Sequence, residues 1–549
     1  MLKKDSQEVW KAAGAMGSAT FLSRLMGVVR EQVFAYWFGA GHFMDAYNVA
    51  FRIPNLLRDL FAEGAMSASL VPVFTQTRLQ EGSRRAWRVA GLVFRAVFFG
   101  VGGVSLIGIL IAPSLVHFYA SSFQLIPGKF ELTVLMTRIL FLFFPCVALA
   151  AAFMGILNAC GVFFLPAFAS ALFNLSSVLV GLGFVKLFLH VPGWEPIVGM
   201  SLGVVFGGGV QAFCQYPALK KVGYVWIPQQ SADPLWYRDQ RLRQMLGMMV
   251  PGTLGLAATQ LNLLVNTILA TSEGPGSVSW LNYAFRLMQF PIGVFGVSLA
   301  SATLPRVALQ WAQKDYLAVE RTLLRSLRSV FACNLPAALG LVFLGPSIVR
   351  CLFQYGHFQS EDTHATALAL AMYALGLPSY SMVKVLVPAC YALGSTKIPV
   401  ISSVFSVLIT LVLNTCMVRW VGYWGLALGT SIAAIFNGFF LTQAIRVILK
   451  KQGVFFSWKA LWYAFLSYGG VALSMVAVAI FFEGLLETAI PDSGFSQFGW
   501  FGLVFGRCLR LGSVLGVSVA WVLGLAYVLK LPEMVQVFES ISRRVKKRR

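Results

Sequence analysis

Continuous apolar runs, each 20 residues or more, recur along this chain. They are centred on 10–38, 43–76, 89–113, 132–158, 163–188, 197–218, 244–270, 277–305, 329–349, 364–392, 398–418, 423–447, 460–482 and 501–530. Twenty apolar residues rising 1.5 Å each cross a hydrocarbon core of about 30 Å, so the pattern predicts about fourteen transmembrane helices. Strands of a membrane barrel alternate apolar and polar positions, and these runs do not. The first run follows Lys3, Lys4 and Lys11 as a signal peptide would, but Arg24 and Arg30 interrupt it, so it is expected to stay in the chain as a span. The predicted class is an all-α polytopic membrane protein.

Composition agrees: 58% of the 549 residues are hydrophobic and 12% charged, too few polar groups to cover a water-soluble fold. The net charge of +22 would suggest nucleic acid in a soluble protein, but here its placement matters more. Basic residues fill alternate connections: Arg78 to Arg88, Lys220 to Arg243, Arg306 to Arg328, Lys397, Arg446 to Lys459, and the tail Arg543 to Arg549. The intervening ones are poor in Lys and Arg, and that at 483–500 is acidic, with Glu483, Glu487 and Asp492. The positive-inside rule then puts both termini in the cytoplasm, with an even number of spans and anionic lipid, not nucleic acid, opposite the basic loops. The eight cysteines are scattered without CxxC pairs, so neither a disulfide framework nor a zinc site is expected.

One constant shift along the chain brings Pro72 onto Pro305, Pro113 onto Pro346, Pro145 onto Pro378, Pro166 onto Pro399 and Gly161 onto Gly394. Six spans separate the copies, so the expected architecture is two six-helix lobes related by a pseudo-two-fold along the membrane normal, plus two C-terminal helices. The corresponding division is 1–218, a cytoplasmic linker 219–243, 244–450, a helix pair in 451–530 and a basic tail 531–549. Two-lobe repeats of this kind suggest alternating access around a central cavity.

Charges inside spans are costly and mark function. The first two spans hold Arg24, Arg30, Glu31, Asp45, Arg52, Arg58, Asp59 and Glu63, whereas the second lobe's spans hold Arg286 and Lys384. On an ideal wheel Asp45, Arg52, Asp59 and Glu63 form one stripe, either an ion network bracing the lobe or part of a site. Ser279, Asn282, Arg286 and Gln289 form a ridge, either a hydrogen-bonded seam or a cationic site. Arg24, Arg30, Arg58 and Arg286 are left without an obvious neutralising partner, since Glu31 and Asp59 point elsewhere on a wheel. Guanidinium groups in a membrane cavity ask for an anion, and their planar fork suits phosphate. An amphiphile with an anionic head, such as a lipid-linked diphosphate, fits. The chain has no P-loop, HExxH or GxSxG in context and its five histidines lack ligand spacing, so no enzyme, metal site or cofactor is expected.

Several segments resemble the signature of the MurJ (MviN) family of bacterial lipid II flippases. They are Ser23-Arg24-Leu25-Met26-Gly27 with Arg30-Glu31, Phe38-Gly39-Ala40-Gly41, Arg52-Ile53-Pro54-Asn55-Leu56-Leu57-Arg58, Phe61-Ala62-Glu63-Gly64-Ala65, Gly276-Ser277-Val278-Ser279-Trp280, Arg286-Leu287-Met288, Leu352-Phe353-Gln354-Tyr355-Gly356 and Val383-Lys384-Val385-Leu386. The resemblance implies the fold of the multidrug/oligosaccharidyl-lipid/polysaccharide exporter superfamily, with the last two helices forming a groove for a polyprenyl tail. It implies transport of undecaprenyl-pyrophosphate-linked peptidoglycan precursor to the outer leaflet of the inner membrane. Substrate-binding residues would be Arg24, Arg30, Arg58 and Arg286 with Asp45, Asn55 and Ser279, supported by Arg52, Glu63, Gln289 and Lys384. Partners would be lipid II, membrane lipids and proteins of cell-wall synthesis or division. Two departures, Phe285 and Gln289 where relatives often carry acids, leave Arg286 less neutralised. The rivals are another exporter of the superfamily, whose cation-binding members should carry cavity carboxylates, and a membrane scaffold for wall synthesis.

Overall fold

The computed structural model describes residues 2–224, 236–496 and 499–533, and these form helices joined by short turns, with no strand among them. The linker residues 225–235 and the basic tail beyond Glu533 lie outside the described residues. Ten helices are long and apolar enough to cross a membrane, and eleven if the bent pair Ser360–Ala374 and Leu377–Ala392 counts as one. The other expected spans fall in Leu2–Phe38, in the rod 42–80 and in Gln240–Thr271, which are also helical. Many large apolar side chains stand exposed on these helices, Phe98, Leu110, Leu466 and Phe481 among them. Lipid, not water, is the solvent such surfaces fit.

Sequence dictates the helix ends. Asp239 and Asp315 accept N–H bonds from the first turns of Gln240–Thr271 and Tyr316–Phe343, and Gln359 with Asp362 closes a capping box on Ser360–Ala374. Prolines sit in first turns, where the N–H they lack has no intrahelical partner. Pro113 and Pro346 do this in helices Ala112–Ala120 and Gly345–Phe353. The Asp315 cap also explains why the helix expected at 329–349 begins at Tyr316: three arginines there interrupt the apolar run without interrupting the helix.

The repeat reads directly in the element boundaries. Under the shift that superposes the prolines, Ser83–Leu110 coincides with Tyr316–Phe343, Ala112–Ala120 with Gly345–Phe353 and Phe164–Phe188 with Lys397–Val421. Gly161 and Gly394 both take left-handed φ, 82° and 77°, at the corresponding turn. A π-helical stretch, Ile292–Gly296, falls within the frame of another, Arg58–Met66.

The chain packs as two compact units, Met1–Ser279 and Trp280–Arg549. In the first, the helix Gln240–Thr271 is tied to its predecessors. Arg241 Nε donates to Glu81 at 2.7 Å, Arg85 donates to Asp239 at 2.7 Å, and Thr271 Oγ1 donates to the Tyr119 carbonyl. The hydrogen bond from Arg241 holds the Glu81 carboxyl below the usual range. The first unit therefore reaches past the 219–243 segment, where sequence alone placed a linker. The second unit's core joins Val330 and Leu335, Met382 and Val385, Leu441, and Tyr468 and Met475, so the penultimate helix Trp458–Ala489 packs on the repeat's own helices.

Candidate functional site

Two clusters organise the charges of the first unit. Asp45, near the start of the helix His42–Leu57, is fully buried. One oxygen takes the Gly276 N–H at 2.7 Å and lies 3.3 Å from Lys129 Nζ; the other accepts from the Ser279 N–H at 3.0 Å and its hydroxyl at 2.7 Å. Asn48 also donates to the Ser279 hydroxyl. Lys129 is as buried as Asp45, with its ammonium 3.9 Å above the Phe123 ring. A buried carboxylate with this many donors is a clamp, and it encloses Asp45 and Ser279, which the sequence groups with the substrate contacts.

The second cluster lies where the helix widens into the π-turn Arg58–Met66. Arg58 donates through Nε at 3.2 Å and Nη2 at 2.8 Å to one oxygen of Asp59. The other oxygen accepts from Asn55 and from Gln260, both at 3.2 Å. Arg58 and Asp59 are partly exposed. Engaging Nε and Nη2 together fixes the plane of the guanidinium, and one carboxylate uses two of its five N–H donors.

Asp45 and Asp59 thus have separate partners, and Arg52 is half-buried. The side chain of Glu63 lies outside the described residues. The ideal wheel fails here for two reasons: Pro54 lacks an N–H inside the helix, and the π-turn advances fewer degrees per residue than an α-helix.

Two expectations of unneutralised cations are corrected. Arg30 is buried and pairs with Glu31 at 3.2 Å, its guanidinium 5.6 Å from the Phe173 ring, and Arg58 pairs with Asp59. Adjacent residues point about 100° apart on a helix, but the long arginine arm folds back across that gap. Within this arrangement Arg30 Nε is buried with no hydrogen-bond partner. Arg24 is exposed and forms no ion pair among the described residues; its helix is held to Phe164–Phe188 by Asn174, which donates to the Ser23 carbonyl. In the second unit Arg286 is half-buried and Gln289 and Lys384 are exposed.

Sequence reasoning misses Lys129 and Gln260. Lys129 looks like a loop cation, yet one lysine opening an apolar run and one aspartate opening another are a pair in need of each other. Gln260 carries no such signal. Among the described residues no three of His, Cys, Asp and Glu converge as metal ligands would.

A family model for lipid II flippase MurJ matches residues 34–490. The lipid II flippase MurJ of Burkholderia cenocepacia is 32% identical, covering 94% of this chain and 98% of its own length. A probable lipid II flippase MurJ of Bdellovibrio bacteriovorus is 34% identical over 81% of this chain and 83% of its own. Among solved structures, a lipid II flippase MurJ in an inward closed conformation superposes with a TM-score of 0.74 at 22% identity, over 94% of this chain and 99% of that one. An inward-facing MATE-family multidrug transporter of the MOP superfamily superposes at 0.64 with 16% identity, over 80% and 100%. Both structures share the fold. With the family model covering most of its length and a curated relative alike almost from end to end, the chain belongs to the lipid II flippase MurJ family.

Proposed function

We propose that this protein carries lipid II, the polyprenyl-diphosphate-linked peptidoglycan precursor, from the inner to the outer leaflet of the bacterial cytoplasmic membrane by alternating access. It makes and breaks no bond. The reading takes about fourteen spans with both termini cytoplasmic, a tail groove formed by the last two helices, and contacts with cell-wall synthesis proteins. The observation that carries it is Arg58, a partly exposed guanidinium whose plane is fixed by Asp59 at a π-turn inside an apolar chain.

The diphosphate is gripped by Arg24, Arg58 and Arg286, with Arg30 adding positive potential from behind its ion pair. Asp59, Asn55 and Gln260 position Arg58, while Asp45, Lys129 and Ser279 brace the helix that bears it. In this reading Arg52, Glu63, Gln289 and Lys384 support the binding of the head group.

A charge-assisted hydrogen bond contributes about 1.5–3 kcal/mol, so Arg58→Ala should lower transport roughly 10- to 100-fold. Transport is read as labelled precursor reaching the outer leaflet, with membrane insertion unchanged. Arg58→Lys keeps the charge without the fork and should fall between. Depleting the protein should trap precursor on the cytoplasmic leaflet. Wild-type transport by Arg58→Ala would overturn the diphosphate assignment; silent cavity variants beside defective tail deletions would favour a scaffold.

A further inference from the structure

The helices Val297–Ala312 and Tyr316–Phe343 form a hairpin whose groove holds a cavity of about 300 Å³, lined by none of the residues assigned to the cargo. Arg306, Arg321 and Arg325 line it, with no carboxylate on its wall among the described residues. None of the three forms an ion pair among the described residues; Glu320, beside Arg321 in the chain, accepts from the Ser457 N–H instead. The floor is polar: Thr303 Oγ1 lies 2.7 Å from Ser326 Oγ, and Thr322 donates to Gln310 at 2.9 Å.

The first unit supplies an internal control. Its equivalent hairpin, one repeat earlier in the chain, places Leu70, Val73, Val89, Leu92 and Val93 where this one has Thr303, Arg306, Thr322, Arg325 and Ser326, and all five are buried. In the first unit, aliphatic side chains packed against neighbouring helices fill these positions. In the second unit the same frame opens a cavity and lines it with three exposed arginines, whose forked guanidinium groups suit a phosphate.

Position identifies the source of the anion. Arg306 and Arg321 stand about 8–9 Å from the tip of the hairpin at 1.5 Å per residue, the depth of the headgroup layer on a spanning helix. Leu299 and Ala302 line the end of the cavity farther from that tip, an apolar wall for the start of acyl chains that a free anion would not need. We infer that this groove binds the phosphodiester headgroup of an anionic membrane phospholipid, with Arg306, Arg321 and Arg325 on the phosphate and Thr322 and Ser326 beneath it. The inference stands independently of the cargo reading.

The test uses the full-length protein in neutral detergent, titrated with short-chain phosphatidylglycerol, short-chain phosphatidylcholine and inorganic phosphate, with retained lipid read by native mass spectrometry. Phosphatidylglycerol should bind at least tenfold more tightly than phosphatidylcholine. Arg306→Val with Arg325→Leu installs the residues of the first unit, so this variant should fold, and it should bind phosphatidylglycerol about 25-fold more weakly, about fivefold per cation removed. Arg88→Gln, at the exposed position that Arg321 occupies in the other repeat, should leave binding unchanged. Equal affinity of the double variant and the wild type would overturn the inference. Displacement of the lipid by inorganic phosphate at similar concentration would overturn the assignment to a lipid and leave a free-anion site.

Discussion

At the residue scale, the chemistry turns on how each buried charge is compensated. Lys129 and Asp45 are a matched pair inside an apolar unit, and removing one leaves the other charged and dry. Asp45→Ala should therefore cost about 3–5 kcal/mol. Asp45→Asn with Lys129→Met removes both charges and should recover most of that loss, read as thermal unfolding of the purified protein. Recovery no better than in the single variant would show that the hydrogen bonds to Gly276 and Ser279, not the ion pair, carry the clamp. This is also where the sequence is least legible. The site residues are nameable from their cost in a span, but their pairings are not. Arg58 reaches its neighbour Asp59 because side-chain length overrides wheel angle, and Asp45 finds Lys129 across 84 positions of chain, which no local periodicity encodes. The π-turn at Arg58–Met66 is equally hidden, since the α-helical wheel assumes the period that this segment abandons.

At the scale of elements, far more is readable, because proline and glycine fix backbone geometry independently of tertiary context. The proline register between the repeats anticipates helix ends that agree to the residue between the two copies, such as Phe164–Phe188 and Lys397–Val421. Close packing of neighbouring helices is less visible. In Ile197–Phe213, Gly199, Gly203 and Gly207 recur every four residues on one face, and a Cβ on Gly203 would meet the Ser177 carbonyl oxygen at 2.3 Å and Gly181 Cα at 2.6 Å. Both obstacles are backbone, so the helices Phe164–Phe188 and Ile197–Phe213 would have to separate. Gly203→Ala should destabilise by about 1–3 kcal/mol, as overpacking does. Gly209→Ala, on the same helix with no atom within 4 Å of its Cβ, should be neutral or slightly stabilising through helix propensity. Thermal stability of the two variants in one detergent compares them directly, and equal loss in both would mean that glycine serves backbone flexibility here instead of close approach.

For the whole molecule, the two repeats share a frame but not a charge. In the register of the repeat, Arg58 falls on Pro291, Asp59 on Ile292 and Asp45 on Val278, so acids and bases of the first repeat stand where the second has apolar groups. Such asymmetry disfavours a transport cycle driven by an ion that needs carboxylates at these positions in both repeats, and it directs the test to the electric field. A cytoplasm-negative potential pushes an anionic head outward with about 2.3 kcal/mol per elementary charge per 100 mV. A diphosphate with roughly two charges would gain several kcal/mol over a full crossing, and the arginines lower the barrier for bringing it into the membrane at all. Transport in vesicles should therefore fall by at least tenfold when a potassium ionophore collapses the potential while a sodium gradient is kept, and should recover when the potential is restored without sodium. Transport that follows the sodium gradient and ignores the potential would remove the field as driving force and require a site for the coupling cation.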